Sequence, residues 1–192
     1  MRLIIAFALA CITLGANAQN DSTYAFEVIK DLETTCVKDQ NRSGTCWSFS
    51  GLSFLESEVL RNGGDALDLS EMFVVRKCYE YKAEKYLRMH GETNFGAGGA
   101  FFDVFWVLNN FGLLPESAYS GLNYGEENHV HGELDNALKA FIDAVEKNKN
   151  KKLSTAWKPA VKGILDAYLG EGPSEFEVDG KTYDIDKFTD KK

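Results

Sequence analysis

The stretch QNRSGTCWSFSG, Gln40–Gly51, carries one cysteine where a polar turn gives way to an apolar, serine-rich run. A cysteine that served only to pack would be expected deeper inside that run. At a helix start, unsatisfied backbone N–H groups and the helix dipole favour a thiolate, so a thiol there reads as reactive. Gln40 stands six residues before Cys46, with Ser43-Gly44-Thr45 between them. A cysteine attacking a carbonyl needs donors for the oxyanion that forms. The Cys46 backbone N–H can be one, and a side-chain amide brought back by a glycine-containing turn can be the other. Trp47 can shield such a site. Taken alone, the same residues also fit a packed Cys-Trp pair.

Working outward, CWSFSGLSFLESEVLRNGG reads as a helix stopped by Asn62-Gly63-Gly64. At about 100° per residue, Phe49, Leu52, Leu55, Val59 and Leu60 share one face, with Trp47 and Phe54 nearly opposite. Apolar residues on two sides predict a central helix. Glu56 falls within the broader apolar face, so it is expected to be buried and paired, because an isolated buried carboxylate is costly. Next, LDLSEMFVVRKCYEYKAEKYLRMHG offers Ser70 as N-cap and Glu71 in the first turn of an amphipathic helix closed by Gly91. NFGAGGAFFDVFWVLNNFGLLPES reads as a glycine loop, an apolar helix and a stop at Gly112. Two more helical patterns follow between Gly132 and Gly170, separated by the solvated run KNKNKK. FEVDGKTYDI closes the chain as a hairpin about Asp179-Gly180.

The first residues, MRLIIAFALACITLGANAQN, have the layout of a secretory signal peptide with a small-x-small site at Ala16-Asn17-Ala18. The predicted location is therefore secreted or periplasmic; Cys11 as a lipidation site is the less favoured reading, because Ala8-Leu9-Ala10 is a poor lead-in. Cleavage after Ala18 would leave 174 of the 192 residues, and loss of Arg2 takes the net formal charge from −8 to −9. An acidic chain argues against nucleic acid and anionic membranes as partners. A hydrophobic fraction of 44% with 12% aromatics is ample for a core. Cys36, Cys46 and Cys78 remain, an odd number, so at least one thiol is free or pairs with another chain. If Cys36 and Cys78 bridge, Cys46 is left over. No Cys-x-x-Cys pair is present, and His90, His129 and His131 are not at finger spacing, so no zinc site is expected. The glycine loop does not fit phosphate-loop spacing. No metal or other cofactor is expected.

QNRSGTCWSFS resembles the active-site segment of papain-like cysteine peptidases: Gln, a glycine turn, Cys-Trp, then small, Phe and Ser residues. Leu69-Ser70-Glu71 resembles the family's Leu-Ser-Glu helix start, and GAGG at Gly96–Gly99 with FGLLPES beyond resembles its substrate-binding glycine loop and following helix. Glu56 matches a buried family glutamate. These matches cover roughly residues 34–120. Within the family, Val37-x-x-Gln40-x-x-Ser43-Gly44-x-Cys46-Trp47 is closest to the bleomycin hydrolase and aminopeptidase C branch; Ser43 stands where papain has a disulfide cysteine. The resemblance implies Cys46 as nucleophile, Gln40 as oxyanion donor, Gly98 and Gly99 as backbone that pairs with substrate, Trp47 beside them, and Glu56 as structural support.

It also implies an α+β, papain-like fold. The expected organisation is a signal peptide over 1–18, the helical left-hand half with the nucleophile over 19–131, and a helical insertion plus terminal hairpin over 132–192, with the β-barrel half missing or incomplete. The implied function is an aminopeptidase C-like cysteine peptidase. The family's catalytic histidine lies about 130–150 residues beyond the cysteine in papain, which falls at or beyond Lys192. His129 and His131 come too early and read as parts of a solvated loop. The chain is therefore expected to be inactive alone, its partners being peptide substrates, the missing C-terminal half and, by resemblance, copies of itself. The alternative is a non-catalytic module that binds peptides or a partner chain with a papain-like half fold.

Overall fold

The computed structural model describes Tyr24, residues 26–150 and residues 152–191. The expected signal peptide lies outside these residues. The chain divides into two compact units at Asp31/Leu32, and the elements below all belong to the second.

Helix α1, Cys46–Arg61, starts at the cysteine and ends where Asn62 donates back to Glu58 O and Gly63 turns at φ 81°. Helix α2, Glu71–Arg88, begins at Ser70, whose Oγ accepts from Phe73 N at 3.1 Å. It ends before His90 and Gly91, both at positive φ. Helix α3, Phe101–Phe111, is stopped by Gly112. Helices α4, Gly132–Glu146, and α5, Trp157–Leu169, form an antiparallel pair across the basic run. Strands β1, Glu175–Val178, and β2, Lys181–Asp184, pair antiparallel, with Asp179 and Gly180 at φ 51° and 71°. Two successive left-handed residues are what a tight two-residue hairpin turn requires. Helix α6, Ile185–Lys191, docks by Thr189, whose Oγ1 accepts from Leu113 N at 2.9 Å just past the end of α3.

The core gathers around α2, which packs on α1, α3, α4 and α5 and buries eleven of its eighteen residues. The expectation that α1 is the central helix is corrected here. One flank of α1 is buried through Trp47, Ser48, Gly51, Leu52 and Glu56, whereas Ser50, Ser53 and Phe54 are exposed. Trp47 is covered by the glycine loop, and Phe54, though exposed, meets the Phe101 ring at 5.3 Å. Arg76, buried at 2% exposure, ties α2 to α5 through Asp166 at 2.5 Å and Gly170 O at 2.7 Å.

Candidate active site

The turn before Cys46 is held by short-range hydrogen bonds. Asp39 Oδ1 accepts from Asn41 N at 2.7 Å, and Ser43 N donates to Gln40 O at 3.2 Å. Asn41 takes the left-handed conformation at φ 48°, which Asn tolerates better than most side chains. Ser43 and Thr45 are buried and share a hydroxyl hydrogen bond at 2.6 Å. Gly44, at φ 70°, lies so close to the glycine loop that a Cβ there would stand 3.1 Å from Ala97 Cβ. Thr45 O accepts from Ser48 N at 2.9 Å, which opens α1 and leaves Cys46 as its first helical residue, exposed and free.

Trp47 connects the helix to the loop. It is 6% exposed, its indole N–H donates to Ala97 O at 2.9 Å, and a Cβ on Gly99 would meet its ring at 2.5 Å. Only glycine permits that approach. Lys82 reaches the same loop from α2, donating to Gly96 O at 3.1 Å and Gly98 O at 2.5 Å. Gly98 and Gly99 are exposed on the outer side.

Behind the turn, Glu56 is fully buried and fully bonded. Its carboxylate accepts from Thr35 Oγ1 at 2.6 Å, Leu69 N at 2.8 Å and Lys38 Nζ at 3.3 Å. Lys38 also binds Asp68 at 2.6 Å and Glu71 at 2.8 Å. Burial works to lower the pKa of its ammonium, but the carboxylates of Asp68, Glu71 and Glu56 outweigh this and hold it above the ordinary lysine value. Lys38 and Lys82 are organising residues that the sequence reading missed. Only the acidic residues at Glu56, Asp68 and Glu71 hinted at a cation nearby.

The histidines depart from the solvated-loop reading. Arg42 forms a parallel bridge with Val130: Arg42 N donates to His129 O at 2.9 Å, and His131 N donates to Arg42 O at 3.2 Å. The segment 129–131 thus straps the turn before Cys46. His131 is 1% exposed, its ring 5.6 Å from that of His129, which in turn meets the edge of Phe49 at 6.3 Å. Burial pushes the imidazole of His131 down to about 4 and lowers that of His129. Gln40 Oε1, His129 Nδ1 and both ring nitrogens of His131 are buried without a hydrogen-bond partner among the described residues.

Cys36 is exposed and Cys78 is buried in the core; both are free, so the Cys36–Cys78 bridge is not formed. Burial pushes the Cys78 thiol up to about 12. Two clefts lie elsewhere. One of about 600 Å³ is walled by Tyr81, Trp106 and Trp157, and one of about 430 Å³ by Leu55, Val59 and Phe188. Neither is lined by Gln40, Cys46, Trp47, Gly98 or Gly99. Among the described residues, no cluster of three His, Cys, Asp or Glu side chains is placed to hold a metal ion.

A family model described as papain family cysteine protease matches residues 24–189. The chain is 35% identical over 86 residues to the senescence-specific cysteine protease SAG39 of Oryza sativa, covering 44% of this chain and 22% of that protein. With Cathepsin L2 of Homo sapiens the identity is 28% over 145 residues, covering 74% of this chain and 40% of that protein. Among solved structures, PepW from Lactobacillus rhamnosis matches with a TM-score of 0.54 at 20% identity, covering 79% of this chain and 41% of that one. At that identity the likeness concerns the fold. The chain spans between about a fifth and two-fifths of the length of these proteins.

Proposed function

The chain belongs to the papain family of cysteine proteases and has its fold, and we propose that Cys46 is the nucleophile of a thiol peptidase with Gln40 as oxyanion donor. One observation carries this reading: a free, exposed thiol at the first residue of α1, beside a turn whose close approach to the glycine loop needs Gly44. In the proposed reaction the thiolate sulfur attacks the scissile carbonyl, and the Cys46 N–H and the Gln40 amide donate to the oxyanion. The C–N bond then breaks, the amine leaves with the proton first taken from the thiol, and water hydrolyses the thioester.

That proton needs a carrier. A helix N-terminus can favour a thiolate, but it cannot protonate a departing amine. His131 is an unsuitable carrier, being buried with its imidazole held neutral to about 4. His129 is half-buried against the Phe49 ring, with Nδ1 buried and without a partner among the described residues, and His90 lies beyond the C-terminal end of α2. We therefore place the general base and its orienting partner outside the described residues, in the part of the relatives' length that this chain does not span. The pattern from Val37 to Trp47, with Ser43 in place of papain's cysteine, supports the aminopeptidase C branch and hence removal of N-terminal residues from peptides. The helical pair α4–α5 fits the insertion of that branch.

The test compares the complete natural protein with residues 19–192 alone, each beside its Cys46→Ala variant. Aminoacyl fluorogenic substrates should be turned over by the complete protein, and N-blocked peptidyl substrates should not; equal turnover of both would remove the aminopeptidase assignment. Residues 19–192 should show no turnover above the Cys46→Ala background. Cys46-dependent turnover there would make His129 or His131 the base to mutate next.

A further inference from the structure

The glycine loop is bound from beneath at three successive carbonyls. Lys82 Nζ takes those of Gly96 and Gly98, and the Trp47 indole N–H takes that of Ala97 between them. Further along, Ala100 N donates to Asp103 Oδ2 at 2.7 Å, and Ala100 O accepts from Asp103 N at 2.9 Å as α3 begins. Of the four carbonyls from Gly96 to Gly99, that leaves the one of Gly99. Among the described residues the N–H and C=O of Gly99 make no hydrogen bond, it is exposed, and the Trp47 ring lies against it where a side chain would be.

Lys82 has an unusual set of partners for a half-buried lysine. Among the described residues, no carboxylate lies within ion-pair distance of it. Its ammonium lies 5.5 Å from the Trp47 ring centroid and 5.7 Å from that of Tyr79, with the two carbonyls completing the shell. Burial lowers its pKa, and the more distant charges of Asp103 and Asp135 act against that. Cation–π contacts and charge-assisted hydrogen bonds strengthen as water is excluded, so such a site holds a cation provided the carbonyls stay aimed at it.

Resting on the peptidase reading above, we propose that Lys82 is a positioning residue for peptide binding. Its ammonium turns the carbonyls of Gly96 and Gly98 inward, which leaves the backbone of Gly99 as the hydrogen-bonding edge offered to an extended substrate. An extended peptide pairs with such an edge through main-chain groups, largely independently of its side chains. Without the ammonium, the three-glycine loop would lose the restraint on two of its carbonyls and would have to be ordered again each time substrate binds.

The experiment uses the complete natural protein with Lys82→Met, which keeps the apolar stem over the rings, and Lys82→Arg, which keeps a charged donor. In Lys82→Met, KM for aminoacyl and peptidyl substrates should rise about tenfold, the effect of losing a charge-assisted hydrogen bond. The value of kcat and the rate of Cys46 alkylation should change less than threefold. Amide exchange over residues 95–100 should speed up in the same variant, and Lys82→Arg should recover part of both effects. An unchanged KM with unchanged exchange would overturn the proposal. So would a parallel fall in kcat, alkylation and melting temperature, which would mark Lys82 as merely structural. If the wild type shows no Cys46-dependent turnover, the peptidase reading fails and the substrate role falls with it. Exchange in the loop would still show whether Lys82 anchors the glycines.

Discussion

A carboxylate with no exposed surface survives only if each of its oxygens is satisfied, and Glu56 meets that condition through Thr35, Lys38 and the Leu69 N–H. Glu56→Ala would leave the Lys38 ammonium short of a partner and a cavity beside Leu52. Removing one member of a buried charge pair costs about 3–5 kcal/mol, and urea unfolding should show a loss of that order. A loss below about 1 kcal/mol would mean that water reaches the site. The burial of Glu56 was legible because its helical face could be counted. Lys38 was not legible, because its three carboxylate partners lie on separate segments. The cysteines give a second test at this scale. Iodoacetamide should label Cys46 and Cys36 in the folded protein, Cys46 faster because it opens a helix, while Cys78 should react only after unfolding. Early labelling of Cys78 would show that α2 does not form the core.

Between elements, α1 and α3 approach closely. A Cβ on Gly51 would stand 2.6 Å from Val104 Cγ2, and Val104 is itself fully buried. Gly51→Ala must therefore push the helices apart. Against about 1 kcal/mol gained from helix propensity, overpacking of this kind typically costs about 1–3 kcal/mol. A net destabilisation is expected, and a rise in melting temperature would contradict the packing described. Helix ends and the hairpin turn were readable in the sequence because Ser70, Gly91, Gly112 and Asp179-Gly180 each carry a local reason for their place. The burial of α1 was misread on one side, because periodicity reports where apolar residues stand and not what covers them. The strap of residues 129–131 was hidden for a related reason. Its partner, Arg42, is joined by a single bridge far away in sequence, and a single bridge leaves no alternating pattern.

At the scale of the molecule, the strap couples acidity to the integrity of the turn before Cys46. The imidazole of His131 is pushed from 6.5 to about 4 in the folded chain, so on acidification the unfolded chain binds the proton first. Stability from this source is complete above about pH 6.5 and is lost as pH falls toward 4, by up to about 3 kcal/mol. Glu116, its carboxyl pushed up to about 7 by burial, acts in the opposite sense as pH rises. Comparison with His131→Leu separates the two effects: the wild type should weaken relative to the variant between pH 6.5 and 4. A difference that does not change with pH would mean that His131 is solvated. The family assignment was legible from Gln40 to Trp47 because the chemistry concentrates its residues there, whereas the organising cations are scattered through the fold. The central claim is that Cys46 is the attacking group. Its most direct test is mass spectrometry of the complete natural protein quenched during turnover of an aminoacyl ester. An acyl group on Cys46, absent in Cys46→Ala together with all turnover, is the predicted result; turnover that survives in Cys46→Ala would contradict it.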